Sequence, residues 1–208
     1  MEGAGRHVYV VDDDLDIRKS LHFLLATANI RSWPFADGSD FVDQLDTLEA
    51  APVLLDVRMP GVDGLSVMAE LSARGCGWPV IVMTAHGDVP VAVRAMKLGA
   101  IEFIEKPFVA EDLEEAIERG FQLLAANRER DERRAMAKAR LEGLTGRELD
   151  VIQLLLKGHP NKVVAYELGL STRTVEMHRA GAMGKLGVRS LAEVAQLVSA
   201  AEIDLQSS

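Results

Sequence analysis

Residues 53–64 read V-L-L-D-V-R-M-P-G-V-D-G, and the reading of this stretch decides the fold. An apolar run this short, closed by the turn-forming Met59-Pro60-Gly61, predicts a buried strand that ends where the chain must turn. Asp56 then stands at the strand's carboxyl end, where open α/β sheets carry their chemistry. A single Asp in that place serves equally well to cap the following turn. Its company along the chain has to separate the two roles.

Working outward, the first 123 residues alternate short apolar runs with longer amphipathic ones. Strands are predicted over residues 7–11, 30–35, 52–55, 80–83 and 100–104. Helices are predicted over 15–28, 38–48, 65–74 and 89–98, with a fifth opening near Ala110. Five β/α repeats imply a doubly wound five-stranded parallel sheet with helices on both faces. The first strand runs into Asp12-Asp13-Asp14, the third into Asp56 and the fourth into Thr84, and Lys106-Pro107 follows the fifth. If these ends converge, the crevice holds several carboxylates, a hydroxyl and an ammonium group. Packed carboxylates repel, and a hard divalent cation relieves them. Mg²⁺, which favours a few carboxylates plus waters and phosphate oxygens, suits Asp12, Asp13 and Asp56. With such a cation Asp56 is placed to act as a nucleophile and form an acyl phosphate, Lys106 pairing with the phosphoryl oxygens and Thr84 hydrogen-bonding them. The plainer alternative makes Asp12 and Asp14 helix caps, Thr84 a turn cap and Lys106 a surface residue.

The strings V-V-D-D-D, L-L-D-V-R-M-P-G-V-D-G, M-T-A-H-G-D and I-E-K-P-F, with Asp13, Asp56, Thr84 and Lys106 each at a strand end, closely resemble the receiver domain of two-component response regulators. The resemblance runs from Val8 to about Leu124 and implies a flavodoxin-like fold. It implies that Asp56 is the phosphoacceptor and that Asp12, Asp13, Asp56 and the Arg58 backbone carbonyl hold Mg²⁺. Thr84 becomes the switch hydroxyl, Lys106 the phosphate-pairing lysine, and Phe103 the switch aromatic, where pattern alone makes it a core residue. The Lys106-Pro107 bond is expected to be cis. Phosphorylation adds roughly one negative charge at Asp56. Thr84 would be drawn to it, and Phe103 would turn into the vacated space and reshape the face of the fourth helix, fifth strand and fifth helix. Arg94 and Lys97 lie on that face, with Glu102, Glu114 and Glu118 nearby in sequence. Such a self-complementary patch suits a twofold homodimer.

Beyond Ala126 the apolar spacing lapses into N-R-E-R-D-E-R-R-A-M-A-K-A-R. This stretch lacks Gly and Pro, so it fits either a solvated continuation of the fifth helix or a flexible charged linker. A second unit opens at Leu144. Thr145 and Glu148 fit a capping box, and Leu149, Ile152, Leu155 and Leu156 form a helical stripe. Gly158-His159-Pro160 ends that helix. A short helix over 161–168, a turn at Gly169, a helix from the cap Ser171 to about Leu186 and a last helix over 190–200 complete a helix-turn-helix. Val175, Ala182 and Leu186 face inward. Arg173, Glu176, Met177, Ala180 and Lys185 face outward or lie on the rim, suiting a helix that enters the major groove of double-stranded DNA. A small interaction bundle with a solvated face is the alternative.

The run L-T-G-R-E, followed by G-H-P-N-K-V-V-A-Y-E-L-G-L-S-T-R-T-V-E-M-H-R-A-G-A-M-G-K-L-G-V-R-S, resembles the LuxR-type helix-turn-helix of NarL/FixJ regulators, in particular the FixJ-like branch. It implies promoter contacts from Asn161, Lys162, Arg173, Thr174, Glu176, Met177, Arg179, Ala180 and Lys185. Glu176 stands where many members carry Lys, and it would accept from a cytosine amino group rather than hold a phosphate. His178 either touches the DNA backbone or packs. Gly181 and Gly184 lower helix propensity by about 1 kcal/mol each relative to Ala, which points to a helix of marginal stability until DNA binds.

Composition agrees with this division. The net charge of −9 belongs to the front, where residues 1–123 hold 10 Lys/Arg against 21 Asp/Glu. Within 171–190 four Lys/Arg face one Glu. A local positive patch can therefore meet phosphates on an acidic chain. No apolar run reaches the roughly 18 residues of a membrane span. The start shows no signal segment, and Cys76 is the single cysteine, so a cytoplasmic protein is expected. A phosphatase of the haloacid dehalogenase type would want a second carboxylate at position 58, which is Arg58. A dinucleotide-binding enzyme would want G-x-G-x-x-G after the first strand, and none is there. The five histidines show no metal-ligand spacing. The expectation is a non-enzymatic, phosphorylation-gated transcriptional regulator. Residues 1–123 form the receiver, 124–141 a charged helical linker and 142–208 a small four-helix, all-α DNA-binding domain. A histidine kinase is the expected partner, and a constitutive DNA-binding protein with a non-gating receiver is the alternative.

Overall fold

A computed structural model of the chain describes residues 6–85 and 89–201. His86, Gly87 and Asp88 of the M-T-A-H-G-D string lie outside the described residues. The chain divides into two compact units, Met1–Asn127 and Arg128–Ser208.

In the first unit the strands are β1 (His7–Val11), β2 (Arg31–Phe35), β3 (Val53–Asp56), β4 (Val80–Thr84) and β5 (Glu102–Glu105). The helices are α1 (Leu15–Thr27), α2 (Gly38–Gln44), α3 (Gly64–Ala73), α4 (Val89–Lys97) and α5 (Ala110–Glu142), which continues into the second unit's residues. All strand pairings are parallel, in the order β2-β1-β3-β4-β5. This is the flavodoxin-like doubly wound sheet, with its topological switch point between β1 and β3.

Because side chains alternate along a strand, the sheet feeds two cores. Tyr9, Val11, Val53, Leu55, Val80 and Val82 pack with Phe41 of α2, Leu65, Val67, Met68 and Leu71 of α3, and Ala95 of α4. Val8, Val10, Leu54, Ile81, Met83 and Ile104 pack with Leu21 and Leu25 of α1 and Leu113, Ala116 and Ile117 of α5. The central strands are buried on both faces, which is why they read as unbroken apolar runs.

Most boundaries fall within one or two residues of the sequence reading, β5 beginning at Glu102 rather than at residue 100, and two differences have clear local reasons. Ile30 does not begin β2. Asn29 adopts a left-handed φ of 56°, and the Ile30 N–H bonds the Leu25 carbonyl at 2.9 Å, so Ile30 closes α1 as a buried plug. The helix predicted over 38–48 stops at Gln44 and tightens into a 3-10 turn, Leu45–Thr47.

The second unit holds α6 (Gly146–Leu156), α7 (Asn161–Leu168), α8 (Thr172–Leu186) and α9 (Leu191–Ala200). The predicted capping box at Thr145 and Glu148 is complete, and Ser171 caps α8 by accepting the Thr174 N–H at 3.1 Å. Helix α8 runs unbroken through Gly181 and Gly184. Ala137 and Leu141, from the α5 portion of this unit, are buried with Ile152, Ala182, Leu186 and Val194. The charged range 124–141 thus supplies two core side chains to the second unit.

Candidate functional site

The chemistry gathers where the switch point predicts. Asp12 follows β1, Asp56 ends β3, and these strands are neighbours. Asp56 pairs in register with Met83, so Thr84 extends one residue further on β4, and the Lys106 N–H bonds the Thr84 carbonyl at 2.7 Å. The Lys106-Pro107 bond is cis.

The first turn of α1 separates the capping role from the site. Asp14 is the cap, its Oδ1 accepting the N–H of Asp16 at 2.8 Å and of Ile17 at 3.3 Å. Asp12 is instead fully buried. Its Oδ1 accepts the Asp14 N–H at 2.9 Å, and its Oδ2 accepts from Lys106 Nζ at 2.6 Å. Lys106 is not a surface residue, since only 10% of its side chain is exposed. Its ammonium also stands 3.4 Å from Asp56 Oδ1, bridging the two carboxylates.

Asp56 is 7% exposed, and its buried Oδ1 accepts no hydrogen bond within the structure. Burial pushes its carboxyl above the ordinary Asp range. Lys106 and the Arg58 backbone N–H pull it down, the Asp12 charge pushes it up, and the balance is upward. Asp13 is exposed, yet one oxygen each from Asp12, Asp13 and Asp56 lie within 4.8 Å of one another. Three clustered carboxylate oxygens, on a set that includes the Asp56 carboxylate with its unbonded Oδ1, fit a small oxygen-seeking cation that retains waters. Thr84 is buried, and Phe103 is half-buried against the core of the α2–α4 face. Arg18, which the sequence reading passed over, donates to the Asp12 carbonyl from the first turn of α1 and so fixes the loop that carries Asp12 and Asp13. No motif in the sequence marks it.

On the face expected for pairing, Arg94, Lys97 and Glu114 are exposed. Glu102 is half-buried and already bonded to Arg119, and Glu118 is bonded to Arg6. An apolar stripe unremarked in the sequence, Val89, Val93 and Met96, is exposed on α4.

In α8, Val175, Ala182 and Leu186 are fully buried, as the pattern predicts. Arg173, Glu176, Met177 and Ala180 are exposed, and Arg179 and His178 are half-buried. Thr174 is engaged with the cap, its Oγ1 lying 2.8 Å from Ser171 Oγ. Asn161 is half-buried and Lys162 exposed at the start of α7. Among the described residues Lys162, Arg173 and Arg179 form no ion pair, whereas Lys185 is bonded to Glu148 at 2.6 Å. No helix is long and apolar enough to cross a membrane.

A parallel sheet with this acidic crevice, joined to a helix-turn-helix, defines a two-part regulator in which a receiver precedes a DNA-binding unit. Comparison with known proteins agrees. The response regulator receiver domain family matches residues 8–118, and the luxR family of bacterial regulatory proteins matches residues 142–198. Similar proteins include the transcriptional regulatory protein FixJ of Azorhizobium caulinodans, 42% identical over 91% of this chain and 90% of that protein. Another is the C4-dicarboxylate transport transcriptional regulatory protein DctR of Rhodobacter capsulatus, 38% identical over 91% of this chain and 98% of that protein. Among solved structures, response regulator StyR aligns with a TM-score of 0.81 at 43% identity, covering 94% of this chain and 99% of that one. Full-length FixJ from B. japonicum aligns with a TM-score of 0.59 at 40% identity, covering 95% and 97%. The chain belongs to the NarL/FixJ family of response regulators and is a transcription regulator.

Proposed function

We propose that the chain is a cytoplasmic, phosphorylation-gated transcription factor in which Asp56 takes a phosphoryl group from a sensor histidine kinase. The observation that carries this is the buried Asp56 carboxylate, lacking a hydrogen-bond donor at Oδ1 and set between Lys106 and the acidic pair. In the transfer an Asp56 oxygen attacks phosphorus, the bond to the kinase histidine breaks, and an acyl phosphate forms. Asp12, Asp13, Asp56 and the Arg58 backbone carbonyl would hold Mg²⁺. Bound there, it neutralises the donor phosphate and orients in-line attack. Lys106 supplies the second positive charge. Its reach to both Asp12 and Asp56 lets it follow the phosphoryl oxygens without rebuilding the crevice. Thr84 offers its hydroxyl from the neighbouring strand end, and the half-buried Phe103, in register with Val82 two residues before Thr84, is the aromatic side chain that changes packing.

The readout is pairing of two receivers through Arg94, Lys97, Glu114 and the exposed Val89, Val93 and Met96. Glu102 contributes through its bond to Arg119 rather than as a free partner. Two linked helix-turn-helix units then gain effective concentration on a two-half-site promoter. Arg173, Arg179, Lys162, Asn161 and Thr174 hold the backbone, while Glu176, Met177 and Ala180 meet base edges.

Sequencing of DNA fragments retained by the chain tests this, with and without a small phosphodonor and with Asp56→Asn as control. Sedimentation runs alongside. The reading expects dimers and retained promoters only for the wild type with donor. Identical retention in all three states would defeat it.

A further inference from the structure

Lys185 lies in the basic half of the recognition helix, but its ammonium points inward to Glu148 Oε2 at 2.6 Å. The same oxygen accepts the backbone N–H and the hydroxyl of Thr145, each at 2.8 Å. Glu148 is 7% exposed, so three donors converge on one buried carboxylate oxygen at the start of α6. Its other oxygen, Oε1, lies where a Cβ on Gly181 would come within 2.9 Å. Gly181 therefore allows α8 to approach this carboxylate more closely than a residue with a side chain would. Gly184, by contrast, faces open space.

We propose that Glu148, Gly181 and Lys185 form a positioning lock that sets the recognition helix against α6, and that Lys185 acts inward in this lock rather than on a DNA phosphate. The inference rests on the DNA-binding reading above. Gly181 and Lys185 are one helical turn apart, so the carboxylate grips α8 at two points, by contact and by charge. That fixes both its rotation and its slide. The base-reading positions begin at Glu176, five residues before Gly181, roughly 7.5 Å along the axis at 1.5 Å per residue. A tilt of about 5–10° at the lock would displace them by about 0.7–1.3 Å. Groove contacts of hydrogen-bond precision do not survive such a shift, whereas the diffuse attraction to phosphates does. Glu148, Gly181 and Lys185 are thus positioning residues for specificity, and the loss of any one should damage specific binding selectively.

The test uses full-length protein treated throughout with the small phosphodonor and two duplexes of equal length, one selected for retention by the treated wild type and one of scrambled sequence. Affinity is measured over a range of salt for Lys185→Met and Gly181→Ala. The proposal expects affinity for the selected duplex to fall about tenfold in both variants, with scrambled-duplex affinity within about twofold and the salt slope unchanged. If Lys185→Met lowers both affinities together and reduces the salt slope by about one per protomer, Lys185 is a phosphate contact and the proposal is overturned. Gly181→Ala removes no charge and gains helix propensity, so it remains informative if Lys185→Met does not fold. Unchanged selected-duplex affinity in Gly181→Ala also overturns the proposal. A wild type that retains no duplex refutes the DNA-binding reading itself, and the lock's role falls with it.

Discussion

Gly64 is the most tightly enclosed glycine near the acidic crevice, and replacing it tests how the strand that carries Asp56 is held. A Cβ at Gly64 would lie 2.2 Å from the Asp56 carbonyl oxygen and 3.0 Å from Val57 Cα. Both are backbone atoms, so no side chain can swing aside. Relief requires a shift of about 1 Å, since an uncrowded carbon contact lies near 3.5 Å. The chain on either side resists such a shift. The Gly64 N–H bonds the Val57 carbonyl at 3.0 Å, and Asp63 caps α3 by accepting the Ser66 N–H at 2.7 Å. Overpacking costs about 1–3 kcal/mol when side chains can adjust, and a backbone clash belongs at the upper end. With a urea dependence of about 2 kcal/mol per molar, Gly64→Ala should lower the receiver's unfolding midpoint by about 1.5 M. Both tryptophans, Trp33 and Trp78, lie in the first unit, and Trp78 stacks on Tyr9 at 5.5 Å. Tryptophan fluorescence of the full chain therefore follows the receiver alone. The displaced atom belongs to Asp56 itself, so acceptance of a phosphoryl group should fall as well. A midpoint within about 0.3 M of wild type, with phosphoryl acceptance unchanged, would refute the reasoning.

Leu141→Ala removes a buried side chain of the second unit and should cost about 2–4 kcal/mol. Correspondingly, a fragment of residues 128–208 should melt well above one of residues 142–208, and equal melting temperatures would show that the α5 tail is not core. Glu148 is held at about 2, chiefly by the Lys185 hydrogen bond and then by Thr145. A carboxyl depressed in the folded state stabilises above its ordinary pKa, so this contribution should be intact above about pH 4.5 and lost as pH falls toward 2. Glu148→Gln should flatten that part of the stability profile, and a profile with wild-type curvature would exclude Glu148 as its source. Arg173→Ala should weaken all duplexes alike and reduce the salt slope by about one per protomer, and a change confined to one sequence would make Arg173 a base reader instead.

Much of the receiver is legible in the chain because its signals are local. Val80 to Met83 reads as a strand because it is buried on both faces, and Pro60-Gly61 places the turn that leaves Asp56 at the strand end. The capping box of Thr145 and Glu148 is equally local. What the pattern hid depends on partners distant in sequence. Ala137 and Leu141 sit among charged residues with too few apolar neighbours to form a stripe, and only the packed helices α6, α8 and α9 show that they are core. Lys185 is exposed, and the sequence hides its pairing with Glu148 because that partner is 37 residues away. Ile30 looks like the start of a strand, yet the left-handed turn at Asn29 makes it a helix stop. The site separates along the same line. Asp12, Asp56 and Lys106 follow from strand ends, whereas the release of Asp12 from capping duty needs the observation that Asp14 has taken it.

The chemistry at Asp56 is open to one direct measurement. Full-length wild type and Asp56→Asn are incubated with a small phosphodonor, with and without Mg²⁺, and the intact mass and the modified peptide are read by mass spectrometry. The account predicts a single phosphoryl group on Asp56, formed only by the wild type and only with Mg²⁺. A phosphoryl group on another residue, or one that Asp56→Asn acquires equally well, would contradict it.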